Sequence, residues 1–148
     1  MSTVRHILQG KTRQEICSIT PQATVYAALE LMAEKNIGAL LVMEAGRLVG
    51  ILSERDYARK IILQGRSSRE ALVAEVMTSQ VFCVSPDYRL EDCMALMTDK
   101  RVRHLPVMED DEVIGIVSIG DVVKTIIMEQ EVTIQHLESY ITTGGYGR

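Results

Sequence analysis

The sequence has no tryptophan, one phenylalanine and only 4% aromatic residues, so its apolar mass is aliphatic and it offers a ligand little stacking surface. Basic residues are in the minority. The 16 Lys and Arg are outnumbered by 20 Asp and Glu, for a net charge of −4. That argues against a nucleic-acid partner, which needs a basic face, although a local basic cluster could still serve a phosphate. The three cysteines, Cys17, Cys83 and Cys93, are odd in number and fit no zinc spacing. Cys93 falls on a helical apolar stripe and Cys83 in a strand pattern, so both read as reduced core residues. His6, His104 and His136 are far apart, and none lies at i, i+4 with another ligand type, so no metal is expected. No apolar run approaches the ~18 residues of a membrane span, and no secretory h-region is present; the expectation is a cytoplasmic protein without a membrane partner. Phosphate-loop, Gly-x-Gly-x-x-Gly and Gly-x-Ser-x-Gly motifs are missing, and no nucleophile has a base beside it. The chain does not read as an enzyme and calls for no catalytic cofactor.

What is present is a duplication. Residues 20–59 align without gaps on residues 85–124 at an offset of 65, and twelve positions are identical. Chance would give roughly two or three, and internal repeats decide architecture before any other signal. Each copy reads alike. A short strand ends at Thr20-Pro21 or Ser85-Pro86, where proline stops pairing. A helix follows, with apolar stripes Val25, Ala28, Leu29, Met32 and Leu90, Cys93, Met94, Met97 at i, i+3, i+4, i+7. Two near-continuous apolar runs flank the turns at Glu44–Arg47 and Glu109–Glu112 and predict strands buried on both faces. A last helix opens at Ser53, and its copy at Ser118.

The fold class is α/β (α+β): two tandem β-α-β-β-α repeats packed by pseudo-two-fold symmetry, each covering an apolar face of the other. The expected organisation is an N-terminal segment at 1–14, a first repeat at 15–65, a linker at 66–79 that holds a short helix, and a second repeat at 80–128. A helical extension and a flexible Gly-rich tail fill 129–148.

Gly-Ile-Leu-Ser53-Glu-Arg-Asp56 and Gly-Ile-Val-Ser118-Ile-Gly-Asp121, in register with the duplication, resemble the CBS-domain pair (Bateman module) of the stand-alone bacterial kind. The segments Asn36–Val42 and Arg101–Val107, with Leu105 and Pro106, are similar to that family too. The resemblance covers about residues 15–130. It implies a regulatory sensor that binds an adenine nucleotide between the repeats, forms a homodimer and acts on an unknown regulated protein.

On that resemblance Asp56 and Asp121 hold a ribose. The chemistry suits them, since one carboxylate accepts from both hydroxyls of a vicinal diol. Ser53 and Ser118 contact ribose or phosphate at a helix start. Ser-x-x-Asp is also a helix cap, and both roles are open. Arg103 and His104 stand where the first copy has the uncharged Gly38 and Ala39, so the two clefts are unequal. The resemblance pairs this basic couple with the Ser53/Asp56 cleft, as phosphate ligands. Gly38 and Ala39 leave room for a flat adenine, walled by Thr20, Ile37 and Leu40. Arg55 meets phosphate, and its counterpart Gly120 permits close approach. AMP suits one ribose clamp with one basic patch; NAD, ADP and ATP are the other candidates. The competing reading is a ligand-free dimeric adaptor, with Val132, Leu137 and Ile141 serving assembly.

Overall fold

The computed structural model describes residues 2–10 and 16–143. In order the elements are α1 (Val4–Gly10), β1 (Ser18–Ile19), α2 (Val25–Lys35), β2 (Ala39–Glu44), β3 (Arg47–Ser53), α3 (Glu54–Tyr57), α4 (Val73–Val76), α5 (Leu90–Lys100), β4 (His104–Glu109), β5 (Glu112–Ser118) and α6 (Ile119–Thr143). The mixed α/β architecture with two repeats is the one the duplication predicts. No helix among the described residues is long and apolar enough to cross a membrane.

The duplication is reproduced down to its irregularities. β1 runs parallel to β2 and β2 antiparallel to β3; in the second repeat the parallel strand shrinks to one bridge, Val84 to Val107. Both hairpins carry a register shift at the same place, Val42/Met43 and Val107/Met108. Both turns place two residues at positive φ, Ala45 with Gly46 and Asp110 with Asp111. That is the primed-turn geometry whose twist matches the flanking strands. β2 is buried on both faces as expected, whereas β3 alternates because one of its faces is only half covered. The last helix of the first repeat is short: α3 passes into a π turn at Ala58–Ile62. Its copy α6 continues to Thr143; residues 144–148, where the flexible tail was expected, lie outside the described residues.

Two expectations are corrected by where apolar side chains find cover. Residues 66–79 are more than a linker: Ala71, Val73 and Val76 are buried in the core of the first repeat with Val25, Met32, Leu40 and Leu52. The N-terminal segment does the same for the second repeat, where Val4, Ile7 and Leu8 join Leu90, Met97, Leu105 and Val117. The two docking segments are themselves copies. Val73 N–H donates to Ala23 O (2.8 Å) and Val4 N–H to Tyr88 O (2.9 Å); Ala74 donates to Pro21 O (2.9 Å) and Arg5 to Pro86 O (2.8 Å). His6 Nδ1 accepts from Thr3 N (3.0 Å) as Glu75 Oε1 accepts from Leu72 N (3.1 Å). Each repeat is thus completed by the stretch of chain that precedes the other.

Gly50 shows how tightly one such stretch lies. A Cβ there would stand 2.6 Å from Met77 Sδ and 3.0 Å from the Thr78 carbonyl oxygen. Met77 could swing aside, but Thr78 is pinned by exchanging hydrogen bonds with Ile51 at 3.0 and 2.9 Å. Gly50→Ala is expected to cost about 1–3 kcal/mol, read from the midpoint of urea unfolding.

The helix stripes need one adjustment: Met94 is 38% exposed, while Leu90, Cys93 and Met97 are buried. Cys83 is exposed, because its strand is reduced to a single bridge, so only Cys93 is the buried core thiol the sequence suggested. Burial, with the carboxylates of Asp92 and Glu91 nearby, pushes the Cys93 thiol from 9.0 up to about 11. The folded state therefore holds that proton more tightly than the unfolded state. Its contribution to stability is full below pH 9 and is lost as pH rises toward 11. Partial burial pushes the Cys83 thiol up as well, but the residue is exposed, so at pH 8 a thiol reagent is expected to label Cys83 well before Cys93. Cys93 should stay unmodified until the chain is unfolded, as peptide mass spectrometry would show.

Candidate functional site

A cleft of about 630 Å³ opens between the repeats, lined on one side by Gly38, Ile51 and Ser53–Asp56 and on the other by Gln80–Phe82 and Lys100–His104. Its geometry starts from a pair of matched hydrogen bonds: Glu54 N–H donates to Gly38 O (3.0 Å) and Ile119 N–H to Arg103 O (2.9 Å). Each tethers the first turn of a repeat's last helix to the entry of that repeat's second strand. Across the pseudo-two-fold the strand entries meet. A Cβ on Gly38 would stand 3.2 Å from Glu54 Oε1 and 3.8 Å from His104 Cε1, so glycine lets both side chains close in.

Ser53 and Asp56 form a full capping box. Asp56 Oδ2 accepts from Ser53 N (3.0 Å) and Ser53 Oγ (3.1 Å), and Asp56 N–H donates back to Ser53 Oγ (3.2 Å). The other oxygen, Oδ1, accepts from Thr78 Oγ1 at 3.3 Å and faces Lys60 Nζ at 3.4 Å. Lys60 also donates to Val76 O (2.9 Å), which ties the π turn to α4. Asp56 is thus aimed by two elements of the chain, with its side chain 14% exposed at the cleft wall. An ionised carboxylate has about four acceptor sites, which these four neighbours match, so a ligand donor would have to replace one of them, the long Thr78 and Lys60 contacts on Oδ1 first.

The charge in the cleft inverts that of the whole chain. Six Lys and Arg line it (Arg55, Arg59, Lys60, Lys100, Arg101 and Arg103) against the carboxylates of Glu54 and Asp56. Among the described residues Arg59 and Arg103 make no ion pair. Arg55 Nη1 donates to Arg101 O (3.3 Å) and joins the two sides of the cleft. Lys100 Nζ lies 5.3 Å from the Phe82 ring centroid, so the chain's single phenylalanine is part of this wall.

The CBS-domain family profile matches residues 4–63 and 73–128. The chain belongs to the CBS-domain family. It is 46% identical over 153 residues to the mitochondrial CBS domain-containing protein CBSX3 of Arabidopsis thaliana, covering 98% of this chain and 74% of that protein. A solved protein with CBS domains from Burkholderia ambifaria MC40-6 superposes with a TM-score of 0.84 at 49% identity, over 87% of this chain and 96% of the other. The CBS domain pair of protein MJ0100, solved in complex with 5′-methylthioadenosine and S-adenosyl-L-methionine, has the same fold. Its TM-score is 0.76 at 23% identity, with 87% of this chain and 98% of the other covered.

Within this CBS pair the structure brings Gly38, Ser53, Arg55, Asp56, Arg103 and His104 into one cleft. Six other residues expected there lie elsewhere, among them Leu40, which is fully buried in the core of the first repeat. Leu105 and Pro106 are buried in the middle of β4, whereas His104, at the start of the strand, is half-buried at the cleft. Ala39 is buried opposite Ser53, Ile37 packs against the first core, and Thr20 is exposed at the end of β1. Ser118 and Asp121 repeat the cap, with Ser118 N–H donating to Asp121 Oδ2 at 2.9 Å and Asp121 N–H to Ser118 Oγ at 3.1 Å. Asp121, however, faces a groove between α1 and α6 beside His6, Ile7 and Lys124. Gly120 has room to spare: a Cβ there would meet only Ser118 Oγ, at 3.6 Å. Sequence reasoning missed Lys60, Thr78, Phe82, Lys100 and Arg101. The run Lys100-Arg101-x-Arg103 was the available signal.

Arg101 carries a further cost. It closes α5 at φ 55°, where Asn36 closes α2 at φ 54°. Asparagine tolerates the left-handed region and arginine does so poorly. Arg101→Asn is expected to raise stability by up to ~1 kcal/mol in thermal unfolding. The same variant should weaken an anionic ligand in the cleft, a trade between stability and function.

Proposed function

We propose that this CBS pair is a regulatory module that binds an adenine nucleotide in the cleft between its repeats and does not turn it over. The observation that carries the reading is the cleft itself: an aimed carboxylate, Asp56, amid six cations in a chain of net negative charge. About 630 Å³ is ample for a nucleotide. The ribose diol is assigned to Asp56, the phosphates to Arg55, Arg59, Arg101 and Arg103, and the base to the wall near Gly38 and Phe82. In support, the fold of this family holds adenosine-type ligands in the MJ0100 complex. The cytoplasm is its proposed location.

The charge refines the ligand. Lys60 and Lys100 already have acidic partners, and a single phosphate would not match the four arginines that remain, so a di- or triphosphate suits the cleft better than the AMP favoured by sequence. Isothermal titration with ATP, ADP, AMP, NAD and S-adenosylmethionine tests this. ATP is expected to bind at about micromolar strength, at least ~10-fold tighter than AMP, and to weaken with added salt. No binding at millimolar concentration would refute the reading.

A second reading has its own observation. Both Asp56 oxygens already have partners within the chain, as a purely structural cap requires. In that case the pair is an assembly module, and ligand-binding measurements separate the two.

A further inference from the structure

A protein that takes a nucleotide with its magnesium supplies oxygen ligands beside the phosphates, usually carboxylates and hydroxyls. The cleft has few to give. Both hydroxyls of its wall are engaged with the cap. Ser53 Oγ donates to Asp56 Oδ2 (3.1 Å) and accepts from Asp56 N–H (3.2 Å), and Thr78 Oγ1 donates to Asp56 Oδ1 (3.3 Å). Asp56 also has Lys60 Nζ at 3.4 Å. The other carboxylate of the lining is Glu54, whose Oε1 stands 3.2 Å from where a Gly38 Cβ would be, beside the His104 ring.

Nitrogen donors are plentiful instead. Arg55 in α3 and Arg59 in the π turn enter from the first repeat, and Arg101 and Arg103 from the second. A guanidinium has five N–H donors and no acceptor, so it cannot ligate a metal, but its fork matches two phosphate oxygens. The two lysines of the cleft are spoken for, Lys60 by Asp56 and Lys100 by Asp99 (3.5 Å). A free triphosphate chain carries about −4, roughly −2 on the terminal phosphate and −1 on each inner one, and about −2 once it holds a divalent cation. Four guanidiniums match the first charge. Against the second they are in excess, and the metal itself would face like charges.

We infer that the cleft takes its nucleoside polyphosphate free of magnesium, with arginines from both repeats supplying the neutralisation that a metal supplies elsewhere. Magnesium then competes with the module for the ligand. By linkage, occupancy falls as magnesium rises at constant total nucleotide, and the signal reported is the metal-free fraction. The inference deepens the nucleotide reading and rests on it.

The test is isothermal titration of the full chain with ATP in EDTA and again in excess magnesium chloride, at one ionic strength so that screening is equal. Magnesium is expected to weaken ATP at least ~10-fold. Inorganic triphosphate, which has the chain without the ribose, should bind in EDTA more weakly than ATP and lose affinity to magnesium in the same way. Glu54→Gln, at an exposed position, should tighten metal-free ATP about two- to fivefold by removing a like charge. If ATP with magnesium binds as tightly as ATP in EDTA, the inference is overturned and the nucleotide reading stands. Tighter binding with magnesium that Glu54→Gln abolishes would also overturn it, by making that carboxylate a metal ligand. Magnesium-sensitive binding of inorganic triphosphate, with no nucleotide bound, would support the metal-free cleft and refute the nucleotide. Failure of both probes to bind in EDTA would overturn both.

Discussion

A chain without residues 1–10 is expected to lose the second repeat as a folded unit. Val4, Ile7 and Leu8 are 0%, 6% and 9% exposed, and their neighbours are the core side chains of that repeat. At about 1.5–3 kcal/mol for each large apolar side chain returned to water, the three together contribute roughly 4.5–9 kcal/mol. The whole stability of a domain is about 5–15 kcal/mol. Backbone bonds go as well: Val4 and Arg5 donate to Tyr88 O and Pro86 O, and Ser2 O accepts from Leu90 N–H (3.2 Å). The ion pairs of Arg5 with Asp87 (3.2 Å) and Glu109 (3.4 Å) are exposed and add little. The single substitution Val4→Asp should cost about 3–5 kcal/mol, because a carboxylate would be buried without a partner. Val73→Asp, at the matching place in the first repeat, should cost about the same. Hydrogen exchange by mass spectrometry would locate each effect. Val4→Asp is expected to release protection in β4, β5 and α5, and Val73→Asp in β2, β3 and α2. Wild-type melting of the truncated chain would show that the segment is peripheral.

The same segments mark the limit of what could be read beforehand. Strands, turns and caps were legible because the copies align at one offset of 65, and twelve identities carried it. The docking segments match at an offset of 69, Val4 on Val73 and Arg5 on Ala74, so an ungapped comparison at 65 slides past them. A strand pattern, likewise, tells which residues alternate but not where a strand dives into the core, so Leu105 and Pro106 were placed at the site with His104. The cleft was legible where it coincides with the repeat motif, at Ser53, Asp56 and Arg103. It was illegible where chain distant in sequence supplies the wall. Thr78 reaches Asp56 only because Met77-Thr78 crosses β3 at Gly50. Lys60 reaches it as the i, i+4 neighbour of Asp56, a spacing the sequence did offer, and its ammonium also donates to Val76 O. The Thr78 contact does not follow from periodicity.

Asp56→Ala is expected to abolish nucleotide binding in the cleft, with a loss of about 30-fold or more. Two charge-assisted hydrogen bonds to a ribose are each worth roughly 1.5–3 kcal/mol, and 2 kcal/mol is already about 30-fold. The substitution also strips the cap, because Ser53 N–H loses its acceptor at 3.0 Å, and that alone costs about 0.5–2 kcal/mol of stability. A fall in affinity could therefore follow from a loosened helix rather than a lost ligand contact. The duplication supplies the control. Asp121→Ala removes the same cap, in which Ser118 N–H donates to Asp121 Oδ2 at 2.9 Å, from a carboxylate outside the cationic cleft. Both variants should lower the thermal midpoint by similar amounts, and only Asp56→Ala should lose the nucleotide in the cleft. Arg103→Ala gives the complementary result, since its guanidinium makes no ion pair among the described residues: affinity for ATP falls, and the thermal midpoint stays where it was. If Asp56→Ala and Asp121→Ala instead bind ATP equally and differ from wild type only in melting, the carboxylates are caps in both repeats. The cation-rich cleft would then need another anion, and the function would rest on assembly. If Asp56→Ala alone loses the ligand, the same residue holds both the start of α3 and the ribose, so nucleotide binding and the order of that helix are coupled. A ligand that stabilises one arrangement of α3 over another shifts that equilibrium by its differential affinity, and through Arg55 Nη1 on Arg101 O the shift reaches the second repeat.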